Sequence, residues 1–160
     1  KLQRATRDPD SNIEKVLDLG FVGEPVKINP RLLETFARSD LIPVIAPIGV
    51  GEDGETYNIN ADTAAGTIAA TLKAAKLVML TDIAGVLDEN GELISKMTPE
   101  RTDELRKRGI IKGGMIPKLE TCLNAVANGV GAAHILDGRQ PHVLLLEAFT
   151  PAGIGTMIEI

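Results

Sequence analysis

Residues 57–62, with the sequence YNINAD, place two amides and a carboxylate at alternate positions. Side chains alternate between the two faces of a strand, so Asn58, Asn60 and Asp62 would share one face if this stretch is extended. That face would carry donors, acceptors and one fixed negative charge. The alternative is a polar strand end at which Asp62 caps the following small-residue helix, since Asp is a favoured N-cap residue.

Lys118 is the second residue with a chemical signal. It follows Gly113, Gly114 and Pro117 and falls in the first turn of a predicted helix. A helix N-terminus is electropositive, so a lysine there is mildly unfavourable unless an anion is bound. A phosphate-binding site is predicted here, because the glycine turn exposes backbone amides and the lysine adds a positive charge. The alternative is an ordinary solvated lysine on a surface helix. The spacing is not that of a Walker loop, and no Ser or Thr follows the lysine to hold magnesium.

The turn 81–85, with the sequence TDIAG, follows an apolar run and could bind the ribose or base of a nucleotide. An ordinary strand-to-loop turn has the same composition, so both interpretations stay open. The chain lacks the G-x-G-x-x-G fingerprint, which counts against a dinucleotide cofactor.

Glu147 precedes a loop that contains Gly153 and Gly155. A carboxylate beside such a loop can hold a cationic small molecule, but a surface glutamate before a glycine turn looks the same. His134 and His142 are predicted to be structural, because a lone histidine near apolar residues carries no catalytic signal.

Composition excludes several classes of protein. The chain has 160 residues, a formal charge of −5 and four aromatic side chains, so nucleic-acid binding by phosphate neutralisation and base stacking is not expected. No apolar run predicts a membrane span, and one cysteine with two histidines does not indicate a zinc site. The single Cys122 allows no intrachain disulfide, which fits a reducing, cytoplasmic location. The length predicts one domain, and the mixed sequence that starts at Lys1 predicts a fragment.

Alternating patterns predict an α/β sandwich with a mainly parallel sheet. Helices are predicted after Asn29-Pro30, after residue 62, after Thr98-Pro99 and over about 116–127, because Asn and Thr cap helices and Pro suits their first position. Strands are predicted at 41–46, 76–81, 92–96, 132–137 and 155–160, with an edge segment at 21–28. Residues 49–55 are predicted as a loop, and 142–149 fit either helix or strand. The ligand crevice of such a sheet lies beyond the carboxyl ends of its strands, where residues 58–62 and 81–82 fall.

Four motifs in order along the chain carry a family resemblance: YNINADTAAG, LTDIAGVLD, GGMIPK, and HILDGR followed by LLLEAFTPAGIGT. They resemble the acetylglutamate kinases of the amino acid kinase family over essentially the whole chain. The resemblance implies a three-layer αβα sandwich, in which the C-terminal lobe binds ATP and the N-terminal lobe binds the acyl amino acid. Residues 1–160 resemble the C-terminal lobe, with 1–28 as an edge hairpin segment, and contain no counterpart of the N-terminal lobe.

The resemblance also implies roles for individual residues. Lys118 would stabilise the transferring phosphoryl group as a catalytic residue, and Asp62 would orient the active-site lysines. Asn58 and Asn60 would bind N-acetyl-L-glutamate. Contacts to ATP, which would bring its own Mg²⁺ so that no protein metal site is expected, are implied for Thr81, Asp82, Gly85, Val86, Leu87, Ile110, Ile111, Lys112 and Met115. Glu147 and Gly153 would bind L-arginine as a feedback inhibitor.

The implied activity is ATP-dependent phosphorylation of the side-chain carboxylate of N-acetyl-L-glutamate, a step of arginine biosynthesis. The full-length protein is expected to be a homo-oligomer, and the 160-residue chain alone to be inactive. One alternative is another amino acid kinase, acting on carbamate, glutamate or aspartate, against which the YNINAD stretch argues. The other is a non-catalytic module that binds a nucleotide or amino acid for regulation, which the lack of an N-terminal half favours.

Overall fold

The computed structural model describes residues 3–7, 14–151 and 153–160, the first two strands by their backbone alone. The chain divides into two compact units, Lys1–Ala64 and Ala65–Ile160. In the part of the chain that is described, no helix is long and apolar enough to cross a membrane.

The first unit begins with an antiparallel hairpin. Its strands are β1 (Gln3–Arg7) and β2 (Glu14–Asp18), with Ala5 opposite Val16. They lie within the predicted edge hairpin segment, residues 1–28.

A three-stranded sheet follows, formed by β3 (Val22–Gly23), β4 (Ile48–Val50) and β5 (Thr56–Ile59). β5 is central, β3 runs parallel to it, and β4 runs antiparallel to it. The edge position predicted for 21–28 is therefore confirmed for β3, where Pro25 leaves no ladder interrupted.

Helix α1 (Pro30–Ala37) begins where the sequence predicts it. The Asn29 side chain accepts a hydrogen bond from the amide of Arg31 at 3.2 Å, and Pro30 occupies the first helical position. No residue of α1 is fully buried: Leu32 is 59% exposed, and Leu33 and Phe36 are half-buried. The helix therefore contributes no fully buried side chain to the core.

One strand prediction in this unit is wrong, and one loop prediction is wrong in part. Residues 41–46 have no strand partner among the described residues, and Val44 in their middle is 96% exposed. The strand lies later, at β4, which falls partly in the stretch predicted as a loop. The reason is that β4 and β5 pair as a hairpin across a turn in which Gly51 donates to the carbonyl of Glu55 at 2.9 Å.

The second unit is built on a four-stranded mixed sheet in the order β6-β8-β9-β7. Its strands are β6 (Lys76–Thr81), β7 (Lys96–Met97), β8 (Ala132–Asp137) and β9 (Thr156–Ile158). β6 runs parallel to β8 and β7 parallel to β9, while β8 and β9 are antiparallel. The short strand predicted at 92–96 lies later, at β7, because its ladder partner β9 reaches Lys96 and Met97.

The helices of this unit agree with the prediction. After α2 (Ala61–Leu72) come α3 (Pro99–Lys107), α4 (Met115–Ala127) and α5 (Val143–Phe149). Thr98 caps α3 by accepting from the amide of Arg101 at 3.3 Å. Beyond α3, Gly109 has φ +69, a conformation that glycine adopts without strain. The ambiguous segment 142–149 is a helix.

The core of the second unit lies between the sheet and one layer of helices. Ala133 and Ile135 of β8 are fully buried against residues of α3 and α4, such as Leu105 and Leu119. Because strand side chains alternate, His134 and Leu136 face the opposite side, where α5 packs. Helices thus cover both faces of this sheet.

The predicted strand 76–81 is present as β6, but only one of its faces is fully buried. Its alternate residues Leu77 and Met79 are buried, but Val78 is 36% and Leu80 is 52% exposed. The strand is the edge of the four-stranded sheet, so the helix on that face reaches it only in part.

Candidate functional site

The polar stretch of the first unit is not a continuous strand. β5 ends at Ile59, and Asn60 lies between the strand and α2. The Asn60 side chain accepts from the amide of Thr63 at 3.1 Å and from the Thr63 hydroxyl at 3.3 Å, so Asn60 is the residue that caps the helix. The interpretation of Asp62 as the cap is therefore wrong.

Asn58, Asn60 and Asp62 consequently do not share one strand face. Asn58 is exposed on β5, where Tyr57 and Ile59 on either side of it are buried. Asp62 lies in the first turn of α2, where a carboxylate favours the helix dipole. The three polar groups instead follow one another through a strand end, a cap and a helix start.

In the second unit, the turn after β6 is closed by Thr81. Its hydroxyl accepts from the amide of Ile83 at 3.1 Å and donates to the carbonyl of Ile83 at 3.0 Å. Asp82 is exposed at the tip of the turn. Of these two predicted nucleotide contacts, Asp82 is the one whose polar atoms face solvent.

Gly85 and Val86 are held by packing rather than displayed at a surface. Gly85 has φ +148, and a Cβ on it would lie 2.5 Å from the Thr156 hydroxyl oxygen. The amide of Val86 donates to the same hydroxyl at 2.8 Å, and the Val86 side chain is only 2% exposed. Contacts from these two residues to a nucleotide are therefore restricted to main-chain groups, and for Val86 to the carbonyl, which already accepts from the amide of Ile94 at 2.8 Å and keeps one lone pair. The Leu87 side chain, in contrast, is 43% exposed.

The turn before α4 has open space for a ligand. Gly113 has φ +56, and a Cβ at Gly113 or Gly114 would meet no atom within 4 Å. Two amides of the predicted phosphate-binding site are already used, since Met115 donates to the carbonyl of Lys112 at 3.3 Å and Ile116 to that of Gly113 at 3.2 Å. The groups that could still bind a phosphate at this turn are therefore the amides of Gly113 and Gly114 and the side chains that flank them.

The side chains predicted near the adenine differ in accessibility. Lys112 is exposed, Ile110 and Met115 are half-buried, and Ile111 is 5% exposed within the core. Lys118 lies in the first part of α4 and is half-buried, before the fully buried Leu119. Lys112 thus directly precedes the glycine turn, and Lys118 follows it in the first part of α4.

The carboxyl ends of β6 and β8 are hydrogen-bonded to each other. An ion pair that the sequence analysis did not predict, Asp137 with Arg139, lies at this position. Thr81 is the register partner of Asp137, and the amide of Gly138 donates to the carbonyl of Thr81 at 2.8 Å. Asp137 accepts two hydrogen bonds from the Arg139 guanidinium, from Nε at 2.9 Å and from Nη2 at 2.8 Å. The signal in the sequence is an acid and an arginine two positions apart, directly after an apolar strand.

The Asp137 carboxylate is strongly biased toward its charged form. The Arg139 guanidinium, helped by the Arg139 amide, lowers the pKa of Asp137 from 3.8 to about 2. The same contact raises the pKa of Arg139, and the charge of Asp82 adds to the effect. This end of the sheet therefore carries two carboxylates and one guanidinium.

Glu147 of α5 connects β8 to the loop that precedes β9. Its Oε1 lies 2.7 Å from Nδ1 of His134, and its Oε2 accepts from the amides of Ile154 at 2.8 Å and Gly155 at 3.3 Å. The two predicted effector residues do come together, because a Cβ on Gly153 would lie 2.8 Å from Oε2 of Glu147. His134, predicted to be structural, is 4% exposed and binds this carboxylate.

Glu147 stays ionised despite its burial. Burial by itself would raise the pKa of Glu147, but hydrogen bonds from the Ile154 amide and from His134 outweigh it and hold the pKa below the usual 4.5. Because the carboxylate accepts only, Nδ1 of His134 must carry the proton of this contact. Nε2 of His134 is buried and has no partner among the described residues.

No group of three or more His, Cys, Asp or Glu side chains that could hold a metal occurs among the described residues. What the second unit offers is a pair of parallel strand ends with an exposed acid and an arginine, and a glycine turn between two lysines. Such groups can bind a polar anionic molecule by hydrogen bonds and charge.

Residues 3–137 match the amino acid kinase family. The chain is 62% identical over 158 residues to the acetylglutamate kinase of Rhodospirillum rubrum, covering 99% of this chain and 51% of that protein. It is also 62% identical over 159 residues to the acetylglutamate kinase of Gluconobacter oxydans, of which it covers 54%. The chain thus spans about half the length of the curated relatives it matches.

Solved structures give the same fold. An N-acetylglutamate synthase from Neisseria gonorrhoeae, complexed with coenzyme A and L-arginine, superposes with a TM-score of 0.84 at 27% identity over 98% of this chain and 35% of that one. A carbamate kinase from Giardia lamblia bound to AMP-PNP superposes with a TM-score of 0.67 at 17% identity, covering 98% of this chain and 52% of that one. The predicted α/β fold class is therefore confirmed.

Proposed function

The chain belongs to the amino acid kinase family, and on that premise we propose that it is the nucleotide-binding part of an acetylglutamate kinase. Such an enzyme transfers the γ-phosphoryl group of ATP to the side-chain carboxylate of N-acetyl-L-glutamate. The observation that carries the proposal is the 62% identity to an acetylglutamate kinase along 99% of this chain. The exposed polar groups at the carboxyl ends of parallel strands support a ligand site in the second unit.

The chemistry requires no general base, because the acceptor carboxylate is already ionised at neutral pH. A carboxylate oxygen attacks the γ-phosphorus, the bond from that phosphorus to the bridging oxygen breaks, and ADP leaves with the electron pair. Two anionic reactants must meet, so catalysis consists mainly of positioning and charge neutralisation. Magnesium enters as part of the MgATP substrate, bridging its phosphates.

Lys118 is proposed as the residue that stabilises the transferring phosphoryl group. Its place beside the open glycine turn supports this role, since a cation and exposed amides there suit a phosphate. Asp62 is proposed to orient the active-site lysines, and Asn58 and Asn60 to bind N-acetyl-L-glutamate. For Asn60 the cap geometry leaves its amide nitrogen as the group that can reach the substrate, because its oxygen is used by Thr63.

ATP is proposed to lie along the second unit at the end of β6. Thr81, Gly85 and Ile111 would contribute main-chain groups, since Gly85 has no side chain and those of the other two are locally bonded or buried. Val86 would contribute its carbonyl, because its amide is used by Thr156. Asp82, Leu87, Ile110, Lys112 and Met115 have partly or fully exposed side chains. The proposal thus assigns main-chain contacts to the first group of residues and side-chain contacts to the second.

The test is Lys118→Met in a full-length enzyme that contains this sequence, with Lys107→Met on the exposed surface of α3 as the matched control. Turnover, measured by trapping the acyl phosphate with hydroxylamine, should fall by about a hundredfold or more, as is usual when a preorganised charge is lost. The affinity for ATP should change far less, and the control should retain its turnover. Near-normal turnover of Lys118→Met would contradict the assignment.

The 160-residue chain alone is expected to bind ATP weakly and to phosphorylate nothing. It spans about half of its relatives, such as 51% of the enzyme from Rhodospirillum rubrum, so groups that grip the substrate can lie outside it. Calorimetry with MgATP and a hydroxylamine assay on the purified chain test this. Robust turnover would show that the site is complete within these residues.

Feedback inhibition by L-arginine is the second part of the proposal. A synthase with the same fold is solved in complex with L-arginine, and at 27% identity it supports an arginine site in this fold. Glu147 and Gly153 adjoin each other, and Glu147 already accepts three hydrogen bonds out of about four that a carboxylate accepts. Glu147 can therefore offer one further acceptor position to a guanidinium or ammonium group.

Glu147→Gln, which keeps the size of the side chain, should raise the inhibitory arginine concentration at least about tenfold, because a charge-assisted bond is lost. Turnover without arginine should remain nearly intact. The measurement is an arginine titration at fixed substrate, with Glu104→Gln in α3 as the control. Inhibition also requires two global states with different affinity for arginine. Identical inhibition curves for wild type and Glu147→Gln would show that Glu147 does not bind arginine. A wild type that arginine does not inhibit would contradict the proposed regulation.

Two alternatives have their own test. Another amino acid kinase would phosphorylate carbamate, glutamate or aspartate in a substrate screen, and a non-catalytic module would bind nucleotide or arginine without any turnover in the full-length protein. A cytoplasmic location and assembly into homo-oligomers remain predictions.

A further inference from the structure

Arg139 is held in one orientation by its own turn. Asp137, two positions earlier, accepts from Nε and Nη2 of Arg139 at 2.9 and 2.8 Å, and also from the Arg139 amide at 3.0 Å. Gly138 between them donates to the carbonyl of Thr81, which fastens the turn to the end of β6. An isolated surface ion pair fixes neither side chain in this way.

The paired guanidinium keeps a second edge available. A guanidinium has five N–H donors, and Asp137 accepts from two of its nitrogens through single hydrogens. Three donors remain, on Nη1 and Nη2. The Arg139 side chain is 68% exposed, against 22% for Asp137, so the acid is the inner partner and the arginine is the outer one. This arrangement matches an arginine that is positioned for a ligand outside the protein.

The location of Arg139 indicates which ligand. It stands beyond the carboxyl ends of the parallel strands β6 and β8, where open α/β sheets bind their ligands. The proposed nucleotide contacts Thr81 and Asp82 are at the same edge, and Asp82 is close enough for its charge to act on Arg139. An arginine with a free edge suits phosphate oxygens, because its planar donors match them in pairs.

We propose that Arg139 binds phosphate oxygens of the nucleotide and that Asp137 is the residue that positions it. This inference rests on the proposed nucleotide site and adds a residue to it. The negative charge of Asp82 beside Arg139 works against a bare phosphate chain. The magnesium of MgATP or MgADP offsets that charge, so the metal-bound nucleotide is the species that this edge accepts.

The experiment compares ligands that share the adenosine group and differ in their phosphates and the magnesium bound to them. Affinities of the 160-residue chain for MgATP, MgADP and adenosine are measured by calorimetry or NMR titration, for wild type, Arg139→Gln, Arg139→Lys and Asp137→Asn. Arg101→Gln in α3 is the matched control, because Arg101 is also exposed and paired with a carboxylate. Arg139→Gln should weaken MgATP and MgADP about tenfold or more and leave adenosine within about twofold.

Arg139→Lys should bind MgATP and MgADP more tightly than Arg139→Gln but less tightly than wild type, because an ammonium group lacks the planar set of donors of a guanidinium. Asp137→Asn should weaken the phosphate-bearing ligands less than Arg139→Gln does, since the arginine remains but is no longer held. Equal weakening of adenosine and MgATP would show a structural role and overturn the proposal. Unchanged MgATP affinity in Arg139→Gln would also overturn it, and leave the nucleotide site standing. A wild-type chain that binds none of the three ligands would overturn the nucleotide site itself together with this inference.

Discussion

Glu147→Ala should be among the most destabilising single substitutions in the second unit. The wild-type carboxylate is 11% exposed and joins three elements: β8 through His134, α5 through its own backbone, and the loop through the amides of Ile154 and Gly155. Alanine leaves the imidazole and two amides without their acceptor. Removing one partner of a buried hydrogen-bonded pair costs about 3–5 kcal/mol, and the low exposure leaves little solvent to compensate.

The assay is urea unfolding of the 160-residue chain at pH 7, followed by circular dichroism. The control is Glu159→Ala, because the Lys96–Glu159 pair is 65% and 42% exposed and such pairs contribute about 0–1 kcal/mol. We expect the free energy of unfolding to fall by about 3 kcal/mol more in Glu147→Ala than in the control. A difference below about 1 kcal/mol would refute the view that Glu147 holds the loop.

The same substitution predicts a dependence on pH. The folded protein holds the pKa of Glu147 below the 4.5 of an unfolded chain. A lowered pKa contributes stability that is complete above the unfolded value and is lost as the pH falls through the folded value. The difference between wild type and Glu147→Ala should therefore shrink when the unfolding is repeated at pH values below 4.5. A difference that stays constant would mean that the charge does not matter.

Three further predictions concern Gly85, the Asp137–Arg139 pair and Asn60. Gly85→Ala should lower the free energy of unfolding by about 2 kcal/mol or more in urea, because φ +148 is strained for alanine and its Cβ would lie 2.5 Å from the Thr156 hydroxyl; an unchanged midpoint would contradict this. The Asp137 carboxyl should titrate at about 2 by NMR, and Arg139→Gln should return its pKa toward 3.8; no movement would exclude the guanidinium as the cause. Asn60→Ala should cost about 1 kcal/mol, since Asn60 caps α2, and Asn60→Asp should largely restore it; equal stability of wild type and Asn60→Ala would exclude the cap.

The sequence predicts best where local chemistry and packing agree. Asn29 and Thr98 cap helices at the predicted places, because each is followed by proline and by an amphipathic run. The buried strand β8 is predicted over its full length, since its apolar residues are covered on both faces. In these segments the local preference and the packing of the chain point to the same structure.

Residues 41–46 show where sequence reasoning fails. An apolar, extended run satisfies every local criterion for a strand, yet strand formation depends on a partner that periodicity cannot identify. The helix cap shows a second limit. Asn60 and Asp62 are both good caps, and only the point where β5 ends decides between them.

The sequence was sufficient to predict which residue types form the candidate site, but not which hydrogen bonds and ion pairs these residues make. Glu147 was predicted as a carboxylate beside the loop that contains Gly153, while the contact of Glu147 with His134 joins residues on different elements. Arg139 was overlooked because a charged residue after a strand is ordinarily a solvated one. Its proposed role depends on the bidentate contact with Asp137, and the spacing of the two residues in the sequence does not reveal that contact.

The central position of β9 has a consequence for how the chain folds. β9 lies between β8 and β7, and the Thr156 hydroxyl donates to the carbonyl of Ile94, 62 positions earlier in the chain. Closing so long a loop is entropically unfavourable, so pairing of β7 should come late and slow the folding of this unit. On the ribosome, a nascent chain that has not yet reached Thr156 leaves one edge of β8 open to wrong partners. We therefore expect the risk of aggregation to persist until the strand that completes the sheet has emerged.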